Sequence, residues 1–354
     1  MTLRVGVIGT GFARRVQIPG LRLVPGVTVT AIASGRPENA RAAARDLGIP
    51  HAYAGGLELA RSPEVDLVIV SSTPDSHARY AVAALEAGKH VLCEKPTALH
   101  AREAEAMLAA ARGRPDRIAW IDHELRYEPN RRHVKDLIRR GSIGEVRHVE
   151  LSLAPYVRGD GRAQISAAPW TWWFDASRGG GILGAVGSHL VDLCRFWTGT
   201  EVTWAAGVAK AFIGRRPDET GALRPVTADD FTSFVLRLEG GPVASIMLST
   251  VAHHGPGHLA QVTGSEGTLV LTGETRLEIG KPGSPLEDAT VPDDLWEKTT
   301  PNNMWARSFV RLMRDLVRTA MGDRPEGAPA TFADGLAVQR VLDAVRAGGG
   351  TRLD

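Results

Sequence analysis

Cysteine is nearly absent from this chain: Cys93 and Cys194 are the only two in 354 residues. That excludes a disulfide framework and a CxxC metal knuckle, and it suits a reducing compartment where both thiols are buried apolar groups. No apolar run approaches the ~18–20 residues that a bilayer requires, so no membrane partner is expected. The opening MTLRVGVIGTG has no basic region, apolar core and small-residue cleavage site in sequence, and the expected location is cytoplasmic. Neither sign of charge is in excess. Lys and Arg number 42 against 40 Asp and Glu, a formal net charge of +2. The arginine pairs at 14–15, 131–132, 139–140 and 215–216 are scattered and do not form a basic stripe interleaved with aromatics, so no nucleic acid is expected. His253, His254 and His258 surround Gly255-Pro256-Gly257 at no helix-face ligand spacing, so no metal is expected. No internal repeat is visible.

What is there is an ordinary globular composition, 43% hydrophobic and 23% charged, which argues against disorder. At ~100–200 residues per domain the length predicts two domains, each able to bury a core. Residues 3–122 alternate apolar runs with amphipathic stretches: Leu3–Ile8, Val27–Ala33, Leu67–Ser71, His90–Cys93 and Ile118–Ile121 read as strands. Pro37–Leu47 and Asp75–Ala87 read as helices ended by Gly48 and Gly88. Uninterrupted apolar strands separated by helices predict a doubly wound parallel sheet covered on both faces, an α/β Rossmann domain over 1–122. Beyond it the rhythm changes. Glu128–Arg140 reads as a helix, and runs starting near Val146, Val202, Phe231, Val243, Gln261 and Thr268 alternate like strands. The expectation for 123–354 is an α+β domain on an open, mainly antiparallel sheet, closed by helices near Trp305–Met321 and Phe332–Ala347 and ending in a frayed tail. Residues 154–178, with Trp170, Trp172 and Trp173, read as an ordered loop or a flap, the tryptophans packing beneath it in preference to forming a sugar platform. Residues 281–303 read as a second irregular stretch.

Gly9-Thr10-Gly11 follows the first strand and opens a helix that Phe12 enters. Backbone N–H groups there can approach a pyrophosphate, which the helix N-terminus attracts. The third glycine of the usual spacing is replaced by Arg14. Dinucleotide folds place an acid ~20 residues further on to hold the ribose hydroxyl of NAD. Here the second strand ends Ala33-Ser34-Gly35-Arg36 with no carboxylate. A hydroxyl and a guanidinium suit a 2′-phosphate, so Ser34 and Arg36 favour NADP(H) over NAD(H). Thr73 and Pro74, then Asp75 as an N-cap and His77 opening a helix, fall where the nucleotide wall of such a fold lies. Glu94-Lys95-Pro96 ends another strand at the same edge, where a lysine can reach a substrate oxygen. Gly179-Gly180-Gly181 leads into a helix to about Trp197 whose Leu183, Val186, Leu190, Leu193 and Trp197 form a buried stripe. Ala185, His189 and Asp192 share a different face.

Two of these segments, AGKHVLCEKP at Ala87–Pro96 and GGG followed by GSHLVD, together with the glycine turn, resemble the glucose-fructose oxidoreductase and inositol dehydrogenase (Gfo/Idh/MocA) family over nearly the whole chain. The resemblance implies hydride transfer between a nicotinamide cofactor and a hydroxyl or carbonyl carbon of a sugar, polyol or related small molecule. It implies Lys95 and His189 as the catalytic pair, Asp192 lining the substrate site, and Arg126-Tyr127 in HELRYEP facing the same cleft. It also implies a homodimer or homotetramer formed through the second domain's sheet. One departure stands out: four residues before the histidine the family usually carries an aspartate, and this chain carries Ala185. An alanine cannot orient or charge-stabilise an imidazole. Either Lys95 and His189 suffice with Asp192 assisting, or the chemistry differs, as in a member that uses transient oxidation for glycoside cleavage or epimerisation, or catalysis is lost and the protein is a catalytically impaired nucleotide-binding regulator.

Overall fold

Six short apolar strands pair in parallel in the order β3-β2-β1-β4-β5-β6: β1 (Leu3–Ile8), β2 (Val27–Ala33), β3 (His51–Tyr53), β4 (Leu67–Val70), β5 (His90–Cys93) and β6 (Ala119–Ile121). The structure, a computed structural model, describes residues 2–154, 168–255 and 257–353. Residues 155–167 of the expected flap, and Pro256 between the histidines, lie outside the described residues. Helices α1 (Ile18–Leu21), α2 (Pro37–Leu47), α3 (Gly56–Ala60), α4 (His77–Glu86) and α5 (Ala101–Arg112) alternate with the strands. Val5, Val7, Ile32, Ile69 and Leu92 enter the core on one face with Ile18 and Leu21 of α1. Ile8, Val68, Val70, Val91 and Cys93 enter it on the other with Ala81, Ala84 and Leu85 of α4 and Met107 of α5. Burial on both faces is why these strands carry unbroken apolar runs. The doubly wound parallel sheet is as the sequence predicts. β3 escaped that reading because it is an edge strand of three residues, two of them exposed.

After α6 (Pro129–Arg139) comes a nine-stranded mixed sheet, mostly antiparallel, flanked by α7 (Ser188–Thr198). Its strands are β7 (Val146–Ala154), β8 (Val202–Lys210), β11 (Phe231–Leu238), β12 (Val243–Ser249), β13 (Gly257–Gly264), β14 (Thr268–Thr272), β15 (Arg276–Gly280), β16 (Glu287–Asp288) and β17 (Thr351–Arg352), in the order β16-β15-β14-β13-β7-β12-β11-β8-β17. Between β8 and β11, β9 (Arg215–Pro217) and β10 (Leu223–Pro225) form a separate hairpin. β7 and β12 run parallel, from Val243 opposite His148 to Leu248 opposite Leu153. Along β11 and β13 every second residue is buried, the period of a sheet with one covered face. The predicted open, mainly antiparallel sheet is present. The tail does not fray as expected: Thr351 pairs with Ala205 and Arg352 with Trp204, because β8 offers an open edge.

The chain then returns to the first sheet. On α8 (Met304–Ala320), Phe309, Val310, Met313 and Leu316 are buried in the core of the β1 face. Full burial of such side chains stabilises by ~1.5–3 kcal/mol each. Contacts therefore group Met1–Glu128 with Asp294–Leu336, and Pro129–Asp293 with Ala337–Asp354, which includes most of the last helix, α9 (Phe332–Arg346). The change of rhythm after residue 122 does not register this return of the chain, since an amphipathic helix carries no mark of which sheet it covers.

Candidate active site

At the end of β1, Gly9 adopts φ +123°, and a Cβ there would lie 2.1 Å from the Ser71 carbonyl oxygen. Only glycine avoids both penalties. Two residues on, a Cβ at Gly11 would meet open space, which leaves backbone accessible to a ligand. Phe12 then enters a widened turn, Ala13–Gln17, that continues into α1. The Thr10 and Ser34 hydroxyls are 3.5 Å apart, and the Ser34 Oγ accepts the Arg36 N–H at 3.4 Å. Arg36 is exposed at the head of α2. In place of the missing third glycine, Arg14 pairs with Asp46 of α2 at 2.6 Å.

Thr73 precedes a short turn, Pro74–Ser76, which the Ser76 hydroxyl closes by donating to the Thr73 carbonyl at 2.8 Å. His77 is buried, its Nδ1 2.9 Å from the Pro96 carbonyl and its Nε2 3.1 Å from that of Ser72. Burial lowers its pKa against the pull of those carbonyls, so the neutral ring ties the loop after β4 to the loop after β5. The Lys95 Nζ lies 3.8 Å from Glu94 Oε2 and 5.8 Å from each of the Phe12 and Trp305 ring centres. Glu94 is itself held: Gln17 Nε2 donates to its Oε1 at 2.8 Å and to Asp122 Oδ2 at 3.0 Å. Burial and the neighbouring Glu124 and Glu94 carboxyls push the Asp122 pKa well up. Burial raises Glu124 to about 8, with Lys95 pulling against it. Gln17, Asp122, Glu124 and Trp305 were not singled out in the sequence. For the two acids a signal existed, since Asp122-His123-Glu124 follows β6 at the carboxyl edge of the sheet.

Arg126 and Tyr127 are both buried in the framework around α8. Arg126 donates to the Ala328 carbonyl at 2.9 Å and to Asp334 at 3.1 Å, and the Tyr127 hydroxyl donates to Asp315 at 2.7 Å.

In the second unit the glycine-led segment is fastened by a residue that sequence reasoning missed. Asp229 Oδ2 accepts the Leu183 N–H at 2.8 Å and its backbone carbonyl accepts that of Ile182 at 3.0 Å. Gly181 adopts φ +105°, and a Cβ there would lie 2.1 Å from Asp229 Oδ1. A widened turn, Leu183–Gly187, leads into α7 with His189 and Asp192 one turn apart. The expected single buried stripe is corrected. Every residue from Ser188 to Trp197 is buried, His189 and Asp192 at 1% exposure, because α7 packs against both α6 and β7. Ala185 is half-buried. Arg195 joins Asp192 at 3.9 Å to Glu201 at 2.5 Å. Of the three histidines near Gly255, His258 is buried 3.4 Å from Arg131 and its pKa is lowered well below the usual range by burial and that guanidinium, whereas His253 and His254 are not buried. Among the described residues, no three His, Cys, Asp or Glu side chains are grouped to hold a metal. Trp170 donates its ring N–H to the Pro225 carbonyl at 2.8 Å, packing on the β9–β10 hairpin.

The first unit fits a dinucleotide: bare backbone at Gly11, a strand-to-helix turn that Gly9 alone permits, and a buried Ser71 hydroxyl with no hydrogen-bond partner among the described residues. Such a sheet and turn define a Rossmann fold of the dinucleotide-binding type. Residues 3–123 match the family model described as "Oxidoreductase family, NAD-binding Rossmann fold", and residues 131–270 match the GFO/IDH/MocA C-terminal domain, so this chain belongs to the GFO/IDH/MocA family. An uncharacterised oxidoreductase of Synechocystis sp. is 33% identical over 83% of this chain and 80% of its own length. Glucose-fructose oxidoreductase domain-containing protein 2 of Xenopus laevis is 31% identical over 97% and 90%. Among solved structures, levoglucosan dehydrogenase in complex with NADH and levoglucosan superposes with a TM-score of 0.84 at 25% identity, covering 98% of this chain and 96% of that one.

Proposed function

We propose that this protein transfers a hydride between NADP(H), preferred over NAD(H), and a hydroxyl or carbonyl carbon of a sugar- or polyol-like small molecule. The observation that carries the reading is the rim at the end of β5: Lys95 stands over Phe12, the residue that follows the Gly9–Gly11 turn, with Glu94 at its side. The bound nicotinamide supplies the hydride acceptor or donor. In the oxidative direction Lys95 orients the substrate oxygen and stabilises its developing negative charge, while His189 takes its proton. Asp192, held by Arg195, takes the substrate side, and the expected cleft-facing part of Arg126 and Tyr127 is replaced by bracing of the framework around α8. Thr10, Thr73 and Pro74 wall the nucleotide, His77 braces that wall, and Ser34 and Arg36 take a 2′-phosphate. The sugar class draws support from the levoglucosan dehydrogenase likeness. The half-covered nine-stranded sheet supports a homodimer or homotetramer, which light scattering reads directly.

The test is a nicotinamide-absorbance assay over a panel of sugars and polyols that includes levoglucosan, with nucleotide affinity measured alongside. Lys95→Met and His189→Ala each lower turnover, the latter by roughly 10²–10⁴-fold with nucleotide affinity nearly unchanged. Wild-type turnover in either variant removes that residue from the reaction. Arg36→Ala weakens NADP(H) by ~1.5–3 kcal/mol and spares NAD(H). Equal wild-type affinity for the two nucleotides overturns the preference. Ala185 favours one second reading, a nucleotide-binding regulator, which tight cofactor binding without turnover across the panel would select. Product formed with no net absorbance change would select transient oxidation.

A further inference from the structure

One buried amide in the first unit holds the acid beside Lys95. Gln17 has no exposed surface, and its Nε2 donates to Glu94 Oε1 at 2.8 Å and to Asp122 Oδ2 at 3.0 Å. The other Glu94 oxygen, Oε2, accepts the Lys95 backbone N–H at 3.2 Å and lies 3.8 Å from the Lys95 Nζ. An unbroken run of contacts therefore leads from the amide through Glu94 to the ammonium. Nothing comparable engages the far end of the amide: among the described residues Gln17 Oε1 has no hydrogen-bond partner. A buried carbonyl left in that state costs stability, and a methionine would fill the same space without the cost. What the glutamine supplies in return is a fixed donor to the two carboxyls.

The widened turn is what puts it there. The Ile18 N–H donates to the Ala13 carbonyl five residues back, where an α-helix would reach four. At 3.6 residues per turn, side chains five apart point ~140° away from each other. The extra residue in the turn brings Phe12, which enters it, and Gln17, which ends it, to the same lysine: the Phe12 ring centre is 5.8 Å from the Lys95 Nζ, and Gln17 grips the acid beside it. We propose that Gln17 is a positioning residue for hydride transfer: through Glu94 it fixes the Lys95 side chain at the end of β5 and ties it to the turn that Gly9 and Gly11 open. The place of the lysine is thereby set relative to the nucleotide turn. The inference rests on the proposed part of Lys95 in the reaction.

Gln17→Met keeps an unbranched side chain and removes the donor. Acetylation of the nucleotide-free protein, with each of its six lysines followed by peptide mass spectrometry, reads the placement directly. Lys95, whose side chain is 16% exposed in the wild type, should label several-fold faster in Gln17→Met, with the other five lysines unchanged. A packing role alone would speed all six together or none of them, and either result overturns the proposal. In the nicotinamide assay Gln17→Met should lower kcat by roughly 10²-fold, the scale of a misplaced reacting group, with substrate KM and nucleotide affinity nearly unchanged. Added to Lys95→Met it should cost nothing more, because it acts through that lysine, and fully additive losses overturn the link. Gln17→Asn keeps the amide but withdraws it by one methylene; it should give the same labelling and kinetic pattern, and it decides the matter if Gln17→Met fails to fold. Full turnover in Lys95→Met would instead overturn the reading of the reaction, an outcome that the labelling, which needs neither substrate nor nucleotide, keeps apart from failure of the link.

Discussion

Gly9 shows how far one residue can be tested by itself. An alanine there must accept φ near +123° and a Cβ 2.1 Å from the Ser71 carbonyl, so the backbone has to move. Strained backbone of this kind costs ~1–3 kcal/mol. Gly9→Ala is therefore expected to lower the melting temperature and to weaken nucleotide binding at least tenfold, read by thermal denaturation and by fluorescence titration. Gly11→Ala differs, because its Cβ meets nothing in the protein. It should leave the melting temperature within about a degree of wild type, since a single surface change is usually worth under ±0.5 kcal/mol, yet still weaken the nucleotide. An unchanged nucleotide affinity in both variants would remove the turn from the binding site. Both glycines were legible in the sequence. Their unequal reasons were not, because the Ser71 carbonyl comes from a strand about 60 residues away.

At the scale of elements, the glycine-led helix depends on a partner that local pattern cannot name. The Asp229 carboxylate receives the Leu183 N–H where the widened turn begins, and burial raises its pKa. Asp229→Ala removes a cap worth ~0.5–2 kcal/mol and should lower the melting temperature accordingly, with turnover falling further if α7 carries His189 into the reaction. Asp229→Asn keeps an acceptor oxygen and should recover most of the stability. Equal losses in the two variants would show that the negative charge, and not the cap, matters. The helix itself was readable from its periodicity. Its burial on all sides was not, because packing against α6 and β7 is a tertiary fact.

For the whole molecule, the buried acids predict how stability follows pH. Glu124 has a folded pKa of about 8 against 4.5 for the free group, and Asp122 is raised in the same direction. The native state holds these protons longer than the unfolded chain does. The stabilising contribution is therefore complete below about pH 4.5, declines as pH rises, and is lost above about 8. Thermal melts from pH 5 to 9 should show the melting temperature falling toward alkali, with a shallower slope in Glu124→Gln. An identical slope in that variant would sink the assignment.

Composition and periodicity by themselves determined the parallel sheet and the mainly antiparallel second sheet, while contiguous motifs marked the Gly9–Gly11 turn and the lysine and histidine segments. Those features repeat every two to four residues or sit in contiguous motifs, so the physics that selects them is local. Tertiary structure alone decided that Met304–Ala320 returns to cover the first sheet, that Thr351–Arg352 closes an edge, and that Gln17 bonds both Asp122 and the Glu94 that stands beside Lys95. These depend on burial and charge shared between residues far apart in the chain, and a carboxyl reads the same in sequence whether water or an apolar core surrounds it.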